Sequence, residues 1–394
     1  MATARRFRTG DEARAFMGRL GVHSKGADIM AAKAMHLCVA LRDVEGRCAN
    51  IVKQEALAAG AEAAVPWQAL TGKDCGTVLL MGTVQQLGRV CEKLRVQPFS
   101  LGERADEIDA AIENYLFEGV RLPRLKGKRL KGSAPLIMGV VNATPDSFYD
   151  GGRHGGAKDA IAHARKLISD GADVIDIGGE STRPGARPVP LKEELKRAIP
   201  VVEALRGAVV SIDTMKPQIA ERAIEAGASI INDVTALSDP KMARVAAKAG
   251  AGVVLMHMQG EPRTMQDNPK YDDVVGEIAQ YLAERADAAI SAGVRRERVA
   301  IDPGIGFGKT TEHNLEILSR LRELRSLGYP VCVGVSRKAF IGKTLDLPPE
   351  ERLEGTLGAV AVAVMNGADI LRVHDVRECR RAMLVAHAIH SGKL

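Results

Sequence analysis

Aromatic side chains make up only 3% of this 394-residue chain, with a single Trp, and that scarcity argues against the stacking platforms that hold single-stranded nucleic acid. Long apolar runs are missing as well. The nearest candidate for a membrane span, Leu357–Met365, falls short of the roughly 20 residues a bilayer requires and is flanked by Arg352, Glu354 and Asp369. Near the N-terminus Arg5, Arg6 and Arg8 precede Asp11 and Glu12 without the apolar stretch of a secretory signal. The six cysteines (Cys38, Cys48, Cys75, Cys91, Cys332 and Cys379) form no Cys-x-x-Cys pair and match no zinc-ligand spacing. Reduced thiols in a cytoplasmic protein are expected, with neither a membrane nor a nucleic acid as partner.

What is present supports a large core: 46% of the residues are apolar, and the chain is longer than one compact core usually occupies. A formal net charge of +6 suits an anionic substrate, although much of the local excess lies in Arg121–Lys131. That basic stretch carries Pro and Gly and has no sustained period, so residues 121–133 read as a linker between residues 1–120 and residues 134–394.

Beyond the linker a short β-branched run, a polar tip and an Ala-rich amphipathic stretch recur. The runs are Leu136–Val141, Val174–Ile177, Val209–Ile212, Ser229–Ile231, Gly252–Met256, Val299–Ile301, Val331–Val335 and Ile370–Val373. Helix-like segments lie between them, several ending at a glycine (Gly171, Gly227, Gly250, Gly328) that suits a C-cap. Alternation of this kind implies parallel strands joined by right-handed crossovers, and about eight units in this length match a (β/α)8 TIM barrel. An open doubly wound sheet alternates in the same way but concentrates chemistry at one switch point; here polar residues follow every strand. Residues 1–120 read as a small α+β domain with no catalytic constellation, so the expected architecture is α/β, a barrel preceded by that domain.

In a parallel barrel the strand ends converge on one mouth. Asp213, Asn232 and Asp302 supply acceptors and an amide matched to the edge of a flat polar heterocycle, and Lys338 can donate to it. Asn142, Arg183, Arg372 and His374 suit an anion, and a diphosphate commonly brings Mg²⁺, for which one Asn oxygen would be enough protein contact. Taken singly, each signal is weak: an Asp at a strand end is more often a cap or turn residue, by about two to one, and His257 reads as a core histidine. The run Asp302–Lys309 contains Gly-x-Gly-x-Gly but lacks the spacing of a dinucleotide or Walker loop.

From about Pro135 to His390 the sequence resembles the dihydropteroate synthases, through Val141-Asn-Ala-Thr-Pro-Asp-Ser-Phe148, Gly178-Gly-Glu-Ser-Thr-Arg-Pro-Gly185, Ile212-Asp-Thr214, Ile231-Asn-Asp233, Leu255-Met-His-Met-Gln259, Asp302–Lys309, Ser336-Arg-Lys338 and Arg372-Val-His-Asp375. The resemblance implies a transferase of folate biosynthesis that condenses 6-hydroxymethyl-7,8-dihydropterin diphosphate with 4-aminobenzoate and releases diphosphate. It implies that Asp213, Asn232, Met256, Asp302, Phe307 and Lys338 hold the pterin. Asn142, Arg372 and His374 would bind the diphosphate, with Asn142 also at Mg²⁺. Two loops that close over the site in the family would contribute Asp146 and Phe148 from the first and Thr182, Arg183 and Pro184 from the second. These loop residues and Ser336 would shape the aminobenzoate site, with Asp146, Arg183 and Lys338 nearest the chemistry, and a homodimer is the expected assembly. Ala339 stands where many members have a Ser that helps hold the aminobenzoate carboxylate, and residues 1–120 are additional to the common bacterial enzyme. A corrinoid methyltransferase uses a similar barrel but has no diphosphate to bind, so Lys338, Arg372 and His374 together speak against it.

Overall fold

The computed structural model describes residues 2–71, 75–125, 130, 133–143, 156–180, 188–262 and 264–392, and the chain divides into two compact units, Met1–Glu118 and Gly119–Leu394.

The first unit runs α1 (Gly10–Arg19), α2 (Ser24–Ala31), β1 (His36–Glu45), α3 (Gly46–Ala58), β2 (Glu62–Ala64), β3 (Cys75–Thr83), α4 (Val84–Leu94) and α5 (Leu101–Leu116). Its sheet has the antiparallel order β1-β3-β2, the α+β arrangement expected. Apolar residues at helical and strand periods, among them Val52, Val78, Leu80, Leu87, Val90 and Ile108, make a core of its own. Thr83 and Gln86 cap α4 reciprocally, which fixes where β3 hands over to that helix.

The second unit is the eight-stranded barrel. Its strands are β4 (Leu136–Asn142), β5 (Val174–Gly178), β6 (Val210–Asp213), β7 (Ile230–Asp233), β8 (Gly252–Met256), β9 (Val299–Asp302), β10 (Cys332–Val333) and β11 (Ile370–Val373), all parallel, in the order β10-β11-β4-β5-β6-β7-β8-β9. A parallel bridge between Ile301 and Val331 brings β9 beside the start of β10 and closes the circle. The surrounding helices are α6 (Ala157–Ser169), α7 (Leu191–Ala204), α8 (Pro217–Ala226), α9 (Pro240–Ala249), α10 (Val274–Ser291), α11 (Thr311–Ser319), α12 (Ala339–Leu345), α13 (Leu353–Met365) and α14 (Val376–Ser391). Gly171 and Gly227 leave their helices at φ of 104° and 123°, a conformation other residues rarely adopt.

Side chains alternate across a strand, so each strand serves two layers. Ile137, Ile175, Ile212, Ile231, Val253 and Ile301 face the helices. Leu136, Met138, Val174, Ile230, Val254, Ala300 and Ile370 fill the barrel interior, joined from below by Leu122, Leu125 and Leu130. The segment read as a linker thus contributes to the barrel floor. Arg121 N donates to Asp369 Oδ1 at 2.7 Å and Arg124 N to the Glu297 carbonyl at 2.7 Å. The basic, Pro-containing composition concealed this, because these bonds run through the backbone and only the leucines are apolar.

Candidate active site

The inward parity that buries Met138 and Val174 near the floor places Asn142, Asp176, Asp213, Asn232, Met256, Asp302 and Arg372 higher on the same face. At the C-terminal ends of the strands a cleft opens, lined by Asp213, Asn232, Val234, Met256, Asp302, Gly304, Ile305, Phe307, Gly334, Lys338 and Arg372. All six residues expected at the pterin thus meet in one place, with Arg372 among them.

A buried polar network underlies the cleft. Arg372 donates from Nε to Asp176 Oδ2 at 2.7 Å and from its Nη2 to Asp213 Oδ2 at 2.8 Å, while Asn232 donates to Asp176 Oδ2 at 3.1 Å. Two carboxylates share one guanidinium here. Burial pushes the Asp213 carboxyl up to about 7, Arg372 works against that rise, and Asp176 adds to it. Asp302 is also raised by burial, with the Gly304 N–H, 2.7 Å from its Oδ1, opposing. The Lys338 ammonium stands 4.3 Å from the centre of the Phe307 ring, a cation–π contact that fixes both on the wall of the cleft.

The anion-binding candidates lie at neighbouring strand ends. Asn142 closes β4, half-buried, in register with Gly178. Ser336, expected at the aminobenzoate, is buried and lies against His374: it accepts from the His374 N–H at 3.2 Å, and its Oγ is 3.1 Å from His374 Nδ1. Between Ser336 and Lys338, Arg337 reaches out as a two-pronged fork to Asp375, both contacts at 2.8 Å, and ties the turn after β10 to the end of β11. Asp146, Phe148, Thr182, Arg183 and Pro184 lie outside the described residues.

Three features escaped the sequence reading. Asp176 is fully buried in the middle of β5, and its signal was a lone acid at inward parity within Val-Ile-Asp-Ile. Lys216 lies 2.5 Å from both Glu180 and Glu194; burial opposes its charge, but the two carboxylates outweigh that and hold the ammonium protonated above its usual range. Lys309 is buried against His257, with Nζ 3.0 Å from Nδ1. Burial and the neighbouring Lys309 lower the His257 pKa to about 3, so the ring is neutral.

Comparison with known proteins converges on one family. Residues 138–374 match the family described as pterin binding enzyme. The dihydropteroate synthase of Escherichia coli strain K12 is 48% identical over 271 residues, covering 68% of this chain and 96% of that protein. A probable bifunctional folylpolyglutamate synthase/dihydropteroate synthase of Halobacterium salinarum is 41% identical over 385 residues; the match takes in 97% of this chain, which spans 46% of that longer protein. Among solved structures, Burkholderia cenocepacia dihydropteroate synthase complexed with 7,8-dihydropteroate superposes with a TM-score of 0.63 at 42% identity, over 69% of this chain and 98% of that one.

Proposed function

This chain belongs to the pterin-binding enzymes as a dihydropteroate synthase, a transferase of folate biosynthesis, and from that premise we propose how its residues divide the reaction. The observation that carries the division is that Asp213, Asn232, Asp302, Lys338 and Arg372 line a single cleft. Asp213, Asn232 and Asp302 take the donor edge of the pterin, Lys338 donates to the ring, and Met256 and Phe307 pack on it. Asn142, Arg372 and His374 take the diphosphate, with Ser336 bracing His374. Thr182, Arg183, Pro184, Asp146 and Phe148 are assigned to the aminobenzoate side.

Mg²⁺ is proposed as a companion of the diphosphate. It takes oxygen ligands and retains several waters, and the neutral amide oxygen of Asn142, at an inward strand end, suits it as a protein ligand. When bound it would neutralise charge on the leaving group. The protein's own part is electrostatic: the bond between the pterin methylene carbon and the diphosphate oxygen breaks with its electron pair leaving on the diphosphate, and the amine nitrogen then forms the C–N bond and gives up a proton to solvent. No covalent enzyme intermediate is required.

We also propose a cytoplasmic homodimer. The cysteines Cys38, Cys48, Cys91, Cys332 and Cys379 are free thiols, which fits a reducing compartment, and no described helix is long and apolar enough to cross a membrane. The packed pair α13 and α14 leaves Val362, Leu384, Val385 and Ile389 exposed, Val385 by 62% and Ile389 by 67%. Such an apolar patch on the outer ring suits a second copy of the same face, the isologous contact of most dimers.

The deciding assay follows diphosphate release and dihydropteroate formation from the pterin diphosphate with a panel of aryl amines, with and without Mg²⁺. Formation of dihydropteroate with 4-aminobenzoate supports the reading, and its absence across the panel overturns it. Positional isotope exchange in the diphosphate without amine is expected if departure precedes attack.

A further inference from the structure

Lys309 does not line the cleft, yet the cleft wall is built on it. The turn Asp302–Lys309 carries Gly304, Ile305 and Phe307 into the cleft and is folded hard against the segment that follows β8. A Cβ at Gly304 would fall 1.9 Å from the His257 carbonyl oxygen, and one at Gly308 would fall 2.5 Å from the Gln259 carbonyl oxygen. Two backbones this close need something to hold them in register. Lys309 Nζ sits among three acceptors that join the two segments: the Phe307 carbonyl at 2.8 Å, His257 Nδ1 at 3.0 Å and the His257 carbonyl at 3.3 Å. An ammonium has three N–H groups to give, which matches that cradle. His257, neutral and boxed by Tyr271 and Tyr281 at ring-centre distances of 6.0 and 5.0 Å, can accept at Nδ1 only as the Nε2–H tautomer.

We propose that Lys309 is a positioning residue for the pterin: by bonding His257 and the Phe307 carbonyl at once it sets the height of the Gly-rich turn, and with it the Phe307 ring on which Lys338 rests. This rests on the pterin reading of the cleft. It assigns Lys309 and His257 to recognition of the ring half of the substrate, apart from the aminobenzoate half. A pair that served stability alone would lower the unfolding temperature and leave the balance of the two Michaelis constants unchanged.

The test measures KM for the pterin diphosphate and for 4-aminobenzoate with the full chain and with Lys309→Met, His257→Leu and His257→Asn, each first shown by thermal melting to be folded at the assay temperature. Loss of a charge-assisted bond at this site is expected to raise the pterin KM by about tenfold or more in Lys309→Met and His257→Leu, with the aminobenzoate KM within about twofold. His257→Asn, whose side-chain oxygen can replace Nδ1 as acceptor, is expected to restore the pterin KM. Should Lys309→Met fail to fold, the contrast between His257→Leu and His257→Asn carries the test. An unchanged pterin KM, or an equal rise in both constants, overturns the proposal. Failure of the unaltered chain to make dihydropteroate would instead overturn the functional reading beneath it.

Discussion

Asp176→Asn isolates the contact that the sequence concealed. Asp176 accepts from Arg372 at 2.7 Å and from Asn232 at 3.1 Å in a site without solvent exposure. Asn preserves the shape but removes the charge, so Arg372 keeps one ionic partner, Asp213 at 2.8 Å, and no guanidinium is left buried and unpaired. The fold should therefore tolerate the change. The loss to expect is one charge-assisted hydrogen bond, about 1.5–3 kcal/mol, which at about 1.36 kcal/mol per decade is roughly a 10- to 150-fold fall in kcat/KM for the pterin diphosphate. A second effect follows from sign. Asp176 helps to hold the Asp213 carboxyl up near 7, so binding that needs ionised Asp213 weakens as pH falls through about 7. Removing the Asp176 charge should move that acid limb to lower pH. The assay is kcat/KM for the pterin diphosphate across about pH 5.5 to 9 for both proteins. A folded Asp176→Asn enzyme with unchanged kcat/KM and an unmoved acid limb would refute this account of the network.

Other outcomes follow from the same contacts. Gly304→Ala meets the His257 carbonyl oxygen at 1.9 Å and a φ of +69°; it should cost several kcal/mol in chemical melts and disrupt pterin binding. Val385→Glu with Ile389→Glu should convert a dimer to a monomer by light scattering, and an unaltered mass would show that this face is not the interface. Arg183→Ala should abolish most turnover with 4-aminobenzoate, and wild-type turnover would remove Arg183 from the reaction.

The barrel was legible because its strands are short, apolar on both faces and separated by amphipathic helices, so a brief apolar run and a 3.6-residue stripe never blur. Val210–Asp213 and Ile370–Val373 fall within a residue of the runs read from the chain. Asp213, Asn232 and Asp302 announced themselves as polar residues closing apolar strands. Asp176 did not, since it sits inside its strand, and only the reach of Arg372 from β11 and of Asn232 from β7 reveals its partners. The floor segment Gly119–Leu125 and the Lys309–His257 pair were hidden for the same reason: their partners lie distant in sequence, and neither carries a local period. In the first unit the α+β class was legible, but β2 is a three-residue strand whose position depends on β3.

The charge arrangement gives the cleft a direction. Asp213 and Asp302 line the cleft over the buried Asp176, and Arg372 and Lys338 stand with them. Without substrate, burial resists the charges on Asp213, Asp302 and Arg372, and for Asp213 the effect is strong enough to bring its titration near neutrality. In the proposed reaction, departure of the diphosphate leaves positive charge on the carbon attached to the pterin. Carboxylates already fixed at that ring need no reorientation to meet it, whereas water would have to turn its dipoles. A ring site built only for the neutral pterin would bind ground state and transition state alike and leave kcat unchanged. On the proposed division of roles, acids held in place by Arg372 and Asn232 favour the cationic ring over the neutral one, and that difference would make the same contacts catalytic.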